Sequence, residues 1–246
     1  MDRKELLAAF LDECPVLRVA YTLPAKTGLV LVDLVNGFCT PGMGPLAPPA
    51  PDARIGQMVD ETDKLARRFF RERRPIFVFC DTHTPGVPEP PYPPHCEKGT
   101  GQEKLVAQLA WLEGFDDLSK VVRILPKDCI NGFVGAIGND GRNAIVDWVR
   151  SNKLEAIVVV GICTDICDSD FVVAMLSARN HGLMPTLKDI VLYEPATATY
   201  DLPKEVVATL GLPKTAAHPR DITHHIGLYT MQTRGAIIAS GLNTTA

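Results

Sequence analysis

Three residues of this chain, Asp33, Lys127 and Cys167, supply what a thiol needs to attack an electrophilic carbon. They are a base for its proton, a cation for the anion, and the sulfur itself. Cys167 falls in the first turn of a helix read over 165–181, with Thr164 or Asp165 as the expected cap. There the positive end of the helix dipole favours the thiolate. A second group begins at Asp81-Thr82-His83. In an extended segment alternate residues point the same way, so Asp81 and His83 share a side. His95 follows behind Pro85, Pro88, Pro90, Pro91, Pro93 and Pro94, which lower the entropy of the intervening loop. One carboxylate and two imidazoles suit a divalent ion, zinc first and manganese or iron as alternatives, with positions left open for water or substrate. Glu89 is a candidate further ligand.

The elements that must carry these residues alternate in kind. GLVLVD at 28–33 is a continuous apolar run ending in an acid, the pattern of a buried parallel strand. Residues 53–73 place Ile55, Met58, Val59, Thr62, Leu65 and Phe69 at three- and four-residue intervals, which predicts an amphipathic helix. Further strands are read at 75–80, 121–125, 155–160, 187–193 and 236–240. Further helices are read at 105–112, 143–152, 165–181, 204–210 and 219–232, with Gly182 as the stop of the helix before it. The reading is an α/β fold of three layers, a mostly parallel sheet with helices on both faces. Ligand sites in such sheets lie beyond the carboxyl ends of the strands. Asp33, Asp81, Lys127 and the segment GICTDIC from Gly161 all directly follow strands.

The chain has 246 residues, read as a single domain over 1–246 with a helical N-terminal extension over 1–26. Hydrophobic residues make up 46% and charged residues 22%, the balance of an ordinary globular core. Net charge is −4 with no Lys/Arg block, so neither a nucleic-acid partner nor an anionic membrane surface is indicated. No apolar run reaches the length of a membrane span, and no secretory signal pattern opens the chain. The odd count of seven cysteines then reads as reduced thiols, and the expected location is the cytoplasm, with the nucleus also open. Cys14, Cys39, Cys80, Cys96 and Cys129 read as packing, and His181, His218, His224 and His225 as structural or surface residues. No glycine-rich phosphate loop points to a nucleotide cofactor.

The pieces LVLVDLVNGF, FVFCDTHTP, YPPHCEKGT, LPKDCINGF and VVVGICTDICDSDF stand in the order found in the isochorismatase-like cysteine hydrolases. Within that superfamily the set resembles the nicotinamidases, and most of all those of plant type. The resemblance implies that Asp33, Lys127 and Cys167 are the catalytic triad and that Asp81, His83 and His95 hold the metal. It also implies a cis bond between Ile162 and Cys163, which turns the N–H groups of Cys163 and Cys167 into an oxyanion hole. Phe38 and Tyr92 correspond to aromatic pocket positions, with Phe133 a weaker candidate. The implied reaction is hydrolysis of nicotinamide to nicotinate and ammonia, in NAD salvage, by a homo-oligomer. Another small-amide or ureido hydrolase is the near alternative, and a catalytically silent binding module the distant one. Asp168 departs from the family pattern, which has a small apolar residue there. Successive helix residues point about 100° apart, so its side chain is expected to face away from the thiol.

Overall fold

The computed structural model describes residues 3–115 and 120–244; Met1 and Asp2, which open the N-terminal helical pattern, lie outside them. Seven strands form one sheet: β1 (Arg18–Leu23), β2 (Thr27–Val32), β3 (Ile76–Asp81), β4 (Val122–Lys127), β5 (Ala156–Ile162), β6 (Asp189–Ala198) and β7 (Ile237–Thr244). Their order is β1-β7-β6-β5-β2-β3-β4, and every neighbouring pair is parallel. The helices are α1 (Arg3–Glu13), α2 (Asn36–Cys39), α3 (Ala53–Arg71), α4 (Gly132–Gly135), α5 (Ala144–Asn152), α6 (Cys167–Asn180), α7 (Lys204–Thr209) and α8 (Arg220–Thr233).

The two-residue side-chain period of the central strands divides the interior into two cores. Leu29 and Leu31 of β2 point to one face with Ile76, Val78, Val158 and Val160, where Ile55, Met58, Leu65 and Phe69 of α3 cover them. Val30 and Val32 point to the other with Phe77, Phe79, Ile157 and Val159, under Ile145 and Val149 of α5, Phe171 and Met175 of α6 and Leu228 and Met231 of α8. Both faces of β2, β3 and β5 are therefore dry, which is why these strands read as unbroken apolar runs. The α3 start is set by Asp52, whose side chain accepts from the N–H of Arg54 (2.9 Å) and Ile55 (3.1 Å).

Strands β2, β3 and β4 step outward in one direction and β5, β6 and β7 in the other. The chain reverses between β2 and β5, the switch point beyond whose carboxyl ends ligand sites form in such sheets.

Three expectations are corrected. The segment 1–26 is not helical throughout: after α1 it forms β1, an edge strand paired with β7. Its sequence RVAYTL alternates Val19, Tyr21 and Leu23 with Arg18, Ala20 and Thr22, but the run is short and only Leu23 is buried. Residues 105–112 do not form an α-helix. Leu105 bridges antiparallel to Val35 and the Val106 N–H donates to the Leu34 carbonyl (3.1 Å), so this backbone bonds across to the site loop, and only a 3₁₀ turn forms at Ala110–Phe115. Helix α6 begins at Cys167 with Ile166 as its cap residue, which provides no side-chain cap; Thr164 and Asp165 are engaged elsewhere.

Candidate active site

Asp33 follows β2, Asp81 ends β3, Lys127 ends β4 and Cys163 follows β5, and these four strands are consecutive neighbours. Asp81 and Lys127 are direct cross-strand partners, as are Val32 and Gly161. Sheet register alone thus brings the base, one ligand, the lysine and the thiol loop to one edge. Asp33 leaves β2 with φ 57°, the left-handed region that costs a non-glycine residue about 1–3 kcal/mol. Its N–H still donates to the Phe79 carbonyl (3.1 Å), so the strained turn is fixed from β3.

Lys127 is the hub. Its fully buried ammonium lies 2.8 Å from Asp33 Oδ2 and donates to Asp81 Oδ1 (3.0 Å) and to the Cys129 carbonyl (2.9 Å). Two of its donors are therefore used on Asp81 and Cys129, and Asp33 faces it as an ion pair. Burial alone would depress this lysine, but the charges of Asp33, Cys167 and Asp81 outweigh it and hold it well above the ordinary range. Gly135 of α4 passes directly beside it: a Cβ there would stand 2.7 Å from Lys127 Cβ. Neither oxygen of Asp33 makes a well-directed hydrogen bond within the protein. Burial pushes this carboxyl up to about 7, with Lys127 pulling it down and Asp81 adding to the rise.

Cys167 is buried at the start of α6. Burial opposes the thiolate that the helix dipole favours. Burial pushes the thiol well above its ordinary range, Lys127 offsets part of that, and Asp33, Cys163 and Asp81 add to it. The loop before it turns through a cis bond at Ile162–Cys163. The Cys163 carbonyl accepts from the N–H groups of Ile166 (3.0 Å) and Asp168 (3.1 Å), whereas the N–H groups of Cys163 and Cys167 have no protein acceptor among the described residues. Gly161 makes this turn possible: its φ is +142°, and a Cβ would lie 2.1 Å from the Val32 carbonyl oxygen.

Beside the lysine, one ligand atom from each of Asp81, His83 and His95 lies within 4.8 Å of the others, and all three residues are buried. Nε2 of His83 and of His95 stand 3.1 and 3.2 Å from Asp81 Oδ2, and 3.5 and 3.6 Å from Glu89 Oε2. His95 Nδ1 is held by the Pro93 carbonyl (2.8 Å), which fixes that nitrogen as the donor and leaves the Nε2 lone pair for a ligand. Two nitrogens and two carboxylate oxygens converging on one point form a donor set that fits a divalent ion.

Phe38 and Tyr92 flank this group, their rings 5.6 and 5.9 Å from the His95 ring. Tyr92 also senses Cys167 and Cys163, whose charges add to the upward effect of its burial. Phe133 lies on α4, partly buried against the second core. Sequence reasoning missed Tyr200, which stacks on His218 at 3.9 Å and 13°. His218 bonds Asp165 Oδ2 through Nε2 (2.8 Å) and the Tyr200 carbonyl through Nδ1 (3.0 Å). His224 likewise reaches Thr164 (2.9 Å). These histidines are structural, as read, yet what they brace is the thiol loop. Asp168 is buried and turned to Thr197 of β6.

The isochorismatase domain family matches the chain over residues 27–222. The chain is 48% identical over 219 residues to Nicotinamidase 1 of Arabidopsis thaliana, covering 89% of this chain and 87% of that protein. Its fold is similar to that of the nicotinamidase from Bacillus subtilis, with a TM-score of 0.65 at 21% identity over 87% of this chain and 99% of the other. It is also similar to that of the pyrazinamidase of Pyrococcus horikoshii in complex with zinc, with a TM-score of 0.57 at 19% identity over 87% and 98%. With the sheet order, the strand-end site and the match across residues 27–222 in agreement, the chain belongs to the isochorismatase family.

Proposed function

We propose that this protein hydrolyses nicotinamide to nicotinate and ammonia through a thioester on Cys167. The observation that carries the reading is the position of Lys127, whose one ammonium touches both Asp33 and Asp81. The proton-transfer residues and the ligand set are therefore two halves of one site. That suits a flat ring bearing a nitrogen at one end and a carboxamide at the other. The 48% identity to a plant nicotinamidase supports the same substrate.

As the Cys167 sulfur bonds to the carboxamide carbon, its proton passes to Asp33, whose pKa of about 7 suits a base at neutral pH. Lys127 offsets the negative charge shared by Asp33 and the sulfur. The N–H groups of Cys163 and Cys167 receive the oxyanion, each such donor being worth about 3–4 kcal/mol of barrier. Asp33 returns the proton to the departing nitrogen as the C–N bond breaks, releasing ammonia. Water then adds to the thioester, losing its proton to Asp33, and the sulfur leaves and regains that proton as nicotinate departs. Asp81, His83 and His95, with Glu89 beside them, would hold a divalent ion, which when bound supplies a Lewis-acid position for the ring nitrogen. Zinc is the ion named for the Pyrococcus horikoshii pyrazinamidase; manganese and iron suit the same donors. Phe38 and Tyr92 provide aromatic walls on which the ring stacks.

The test is nicotinate and ammonia release by the purified protein beside Cys167→Ala. Equimolar products from the parent and none from the variant support the reading; no nicotinate from either overturns it.

A further inference from the structure

Asp168 lies within a chain of hydrogen bonds that the reaction scheme leaves unused. Its side chain is fully buried, with Oδ2 2.5 Å from Thr197 Oγ1 and Oδ1 without a partner. Thr197 Oγ1 is also 3.1 Å from the Gly161 carbonyl oxygen and 3.1 Å from Thr164 Oγ1, which in turn is 2.9 Å from His224 Nδ1. Five groups from β5, β6, α6, α8 and the thiol loop thus meet through two hydroxyls.

Counting protons assigns their directions. Thr197 has one hydroxyl proton, and the Gly161 carbonyl can only accept. If Thr197 donates to Gly161, it must accept from both other neighbours. Thr164 then donates to Thr197 and accepts from His224 Nδ1–H, and Asp168 itself must donate. An ionised Asp168 has no proton to give. It would take the Thr197 proton away from Gly161 and leave a charged Oδ1 buried without a donor. Only the neutral acid supplies a proton to each of these contacts, and the unpaired Oδ1 is then a carbonyl oxygen rather than part of a buried charge.

We propose that Asp168 is a positioning residue, a neutral acid that donates to Thr197 and so fixes Gly161 and Thr164 on either side of Cys163. The inference rests on reading Cys163 and Cys167 as the oxyanion hole and nucleophile. Its side chain reaches the loop through Thr197, which contacts Gly161 and Thr164. The surrounding charges agree: burial pushes the carboxyl up to about 8, Thr197 opposes, Asp33 and Asp165 add to the rise, and Lys127 opposes. His224, two hydroxyls removed, and Glu194 3.7 Å from its Nε2 are the remaining titratable groups on this hydrogen-bond path. Ionisation of Asp168 therefore loosens the loop above neutral pH.

The experiment compares the parent protein, Asp168→Asn and Asp168→Ala from about pH 6 to 9.5, reading kcat and KM for nicotinamide, the alkylation rate of Cys167 and the thermal midpoint. Asparagine donates as the neutral acid does but cannot ionise. It is expected to restore the parent kcat at neutral pH and to lose an alkaline fall centred near the carboxyl's pKa. Alanine is expected to lower kcat by about tenfold or more, with KM within about twofold, because a misplaced loop spoils the oxyanion geometry rather than binding. The folded-state pKa lies above the ordinary carboxylate value, so the neutral acid's contribution to stability, complete below that ordinary value, is lost progressively as pH rises to about 8 and changes no further above it. The thermal midpoint of the parent should fall relative to Asp168→Asn over that range. Identical alkaline limbs and identical midpoint profiles for parent and Asp168→Asn would overturn the inference, as would parental kcat in Asp168→Ala. If no protein makes nicotinate, the substrate reading fails while the alkylation and midpoint profiles still decide the role of Asp168.

Discussion

Replacing Lys127 with methionine removes one positive charge from between two buried carboxylates while roughly keeping the side-chain volume. The ammonium lies 2.8 Å from Asp33 and 3.0 Å from Asp81 and also satisfies the Cys129 carbonyl. At an effective dielectric of about 20, each contact corresponds to an attraction of about 5–6 kcal/mol before desolvation is counted. Most of that offsets the cost of burying the three charges. What remains on removing one partner is about 3–5 kcal/mol of lost stability, because two carboxylates are left facing each other without a cation. For a chain of this size the thermal midpoint should drop by roughly 6–20 °C. Differential scanning calorimetry together with denaturant titration measures it, and nicotinate release should fall to the level of Cys167→Ala. A loss below about 1 kcal/mol would refute the reasoning, since Lys127 would then not be the shared cation of both halves of the site.

Further outcomes follow from the same geometry. With Asp33 near 7, kcat/KM should rise as pH increases through about 7, and Asp33→Asn should lose that limb together with at least about a hundredfold in rate. A limb unmoved by this substitution would take the base role from Asp33. Chelation, or His95→Ala, should weaken substrate binding more than it destabilises the fold, and added zinc should restore only the chelated protein; activity indifferent to both would remove the ion from the reaction. Gly227→Ala should lower activity and cost about 1–3 kcal/mol, since its Cβ would meet Asp165 Cα at 2.8 Å and α8 must retreat from the thiol loop. Unchanged calorimetry and kinetics would show that α8 does not brace that loop.

What could be read from the sequence follows from where each residue sits on the sheet. Asp33, Asp81 and Lys127 end apolar runs, so their convergence needs only parallel topology, and the seven-strand order provides it. The D-x-H pair was legible because two extended residues share a side, and Glu89 could be named only as a candidate because its approach depends on the folded proline-rich loop. Edge strand β1 escaped because its alternation of Val19, Tyr21 and Leu23 is short and follows directly on a helical pattern, with Leu23 its one buried residue. The 105–112 segment carries helix-like apolar spacing, yet its backbone bonds go to Leu34 and Val35, a tertiary choice no local pattern reveals. For Cys167 the helix dipole was legible, but the burial that opposes it is a property of the whole fold. For Asp168, nothing in the spacing pointed to Thr197, 29 residues later, as its partner.

The most direct test of the account is to quench the protein with acid during turnover of nicotinamide and map the modified peptide by mass spectrometry. A nicotinoyl group on Cys167, removed by hydroxylamine and absent from Cys167→Ala, is the predicted result. Nicotinate formed at full rate with no acyl group on Cys167, under conditions where thioester breakdown is slowed, would contradict covalent catalysis by that thiol.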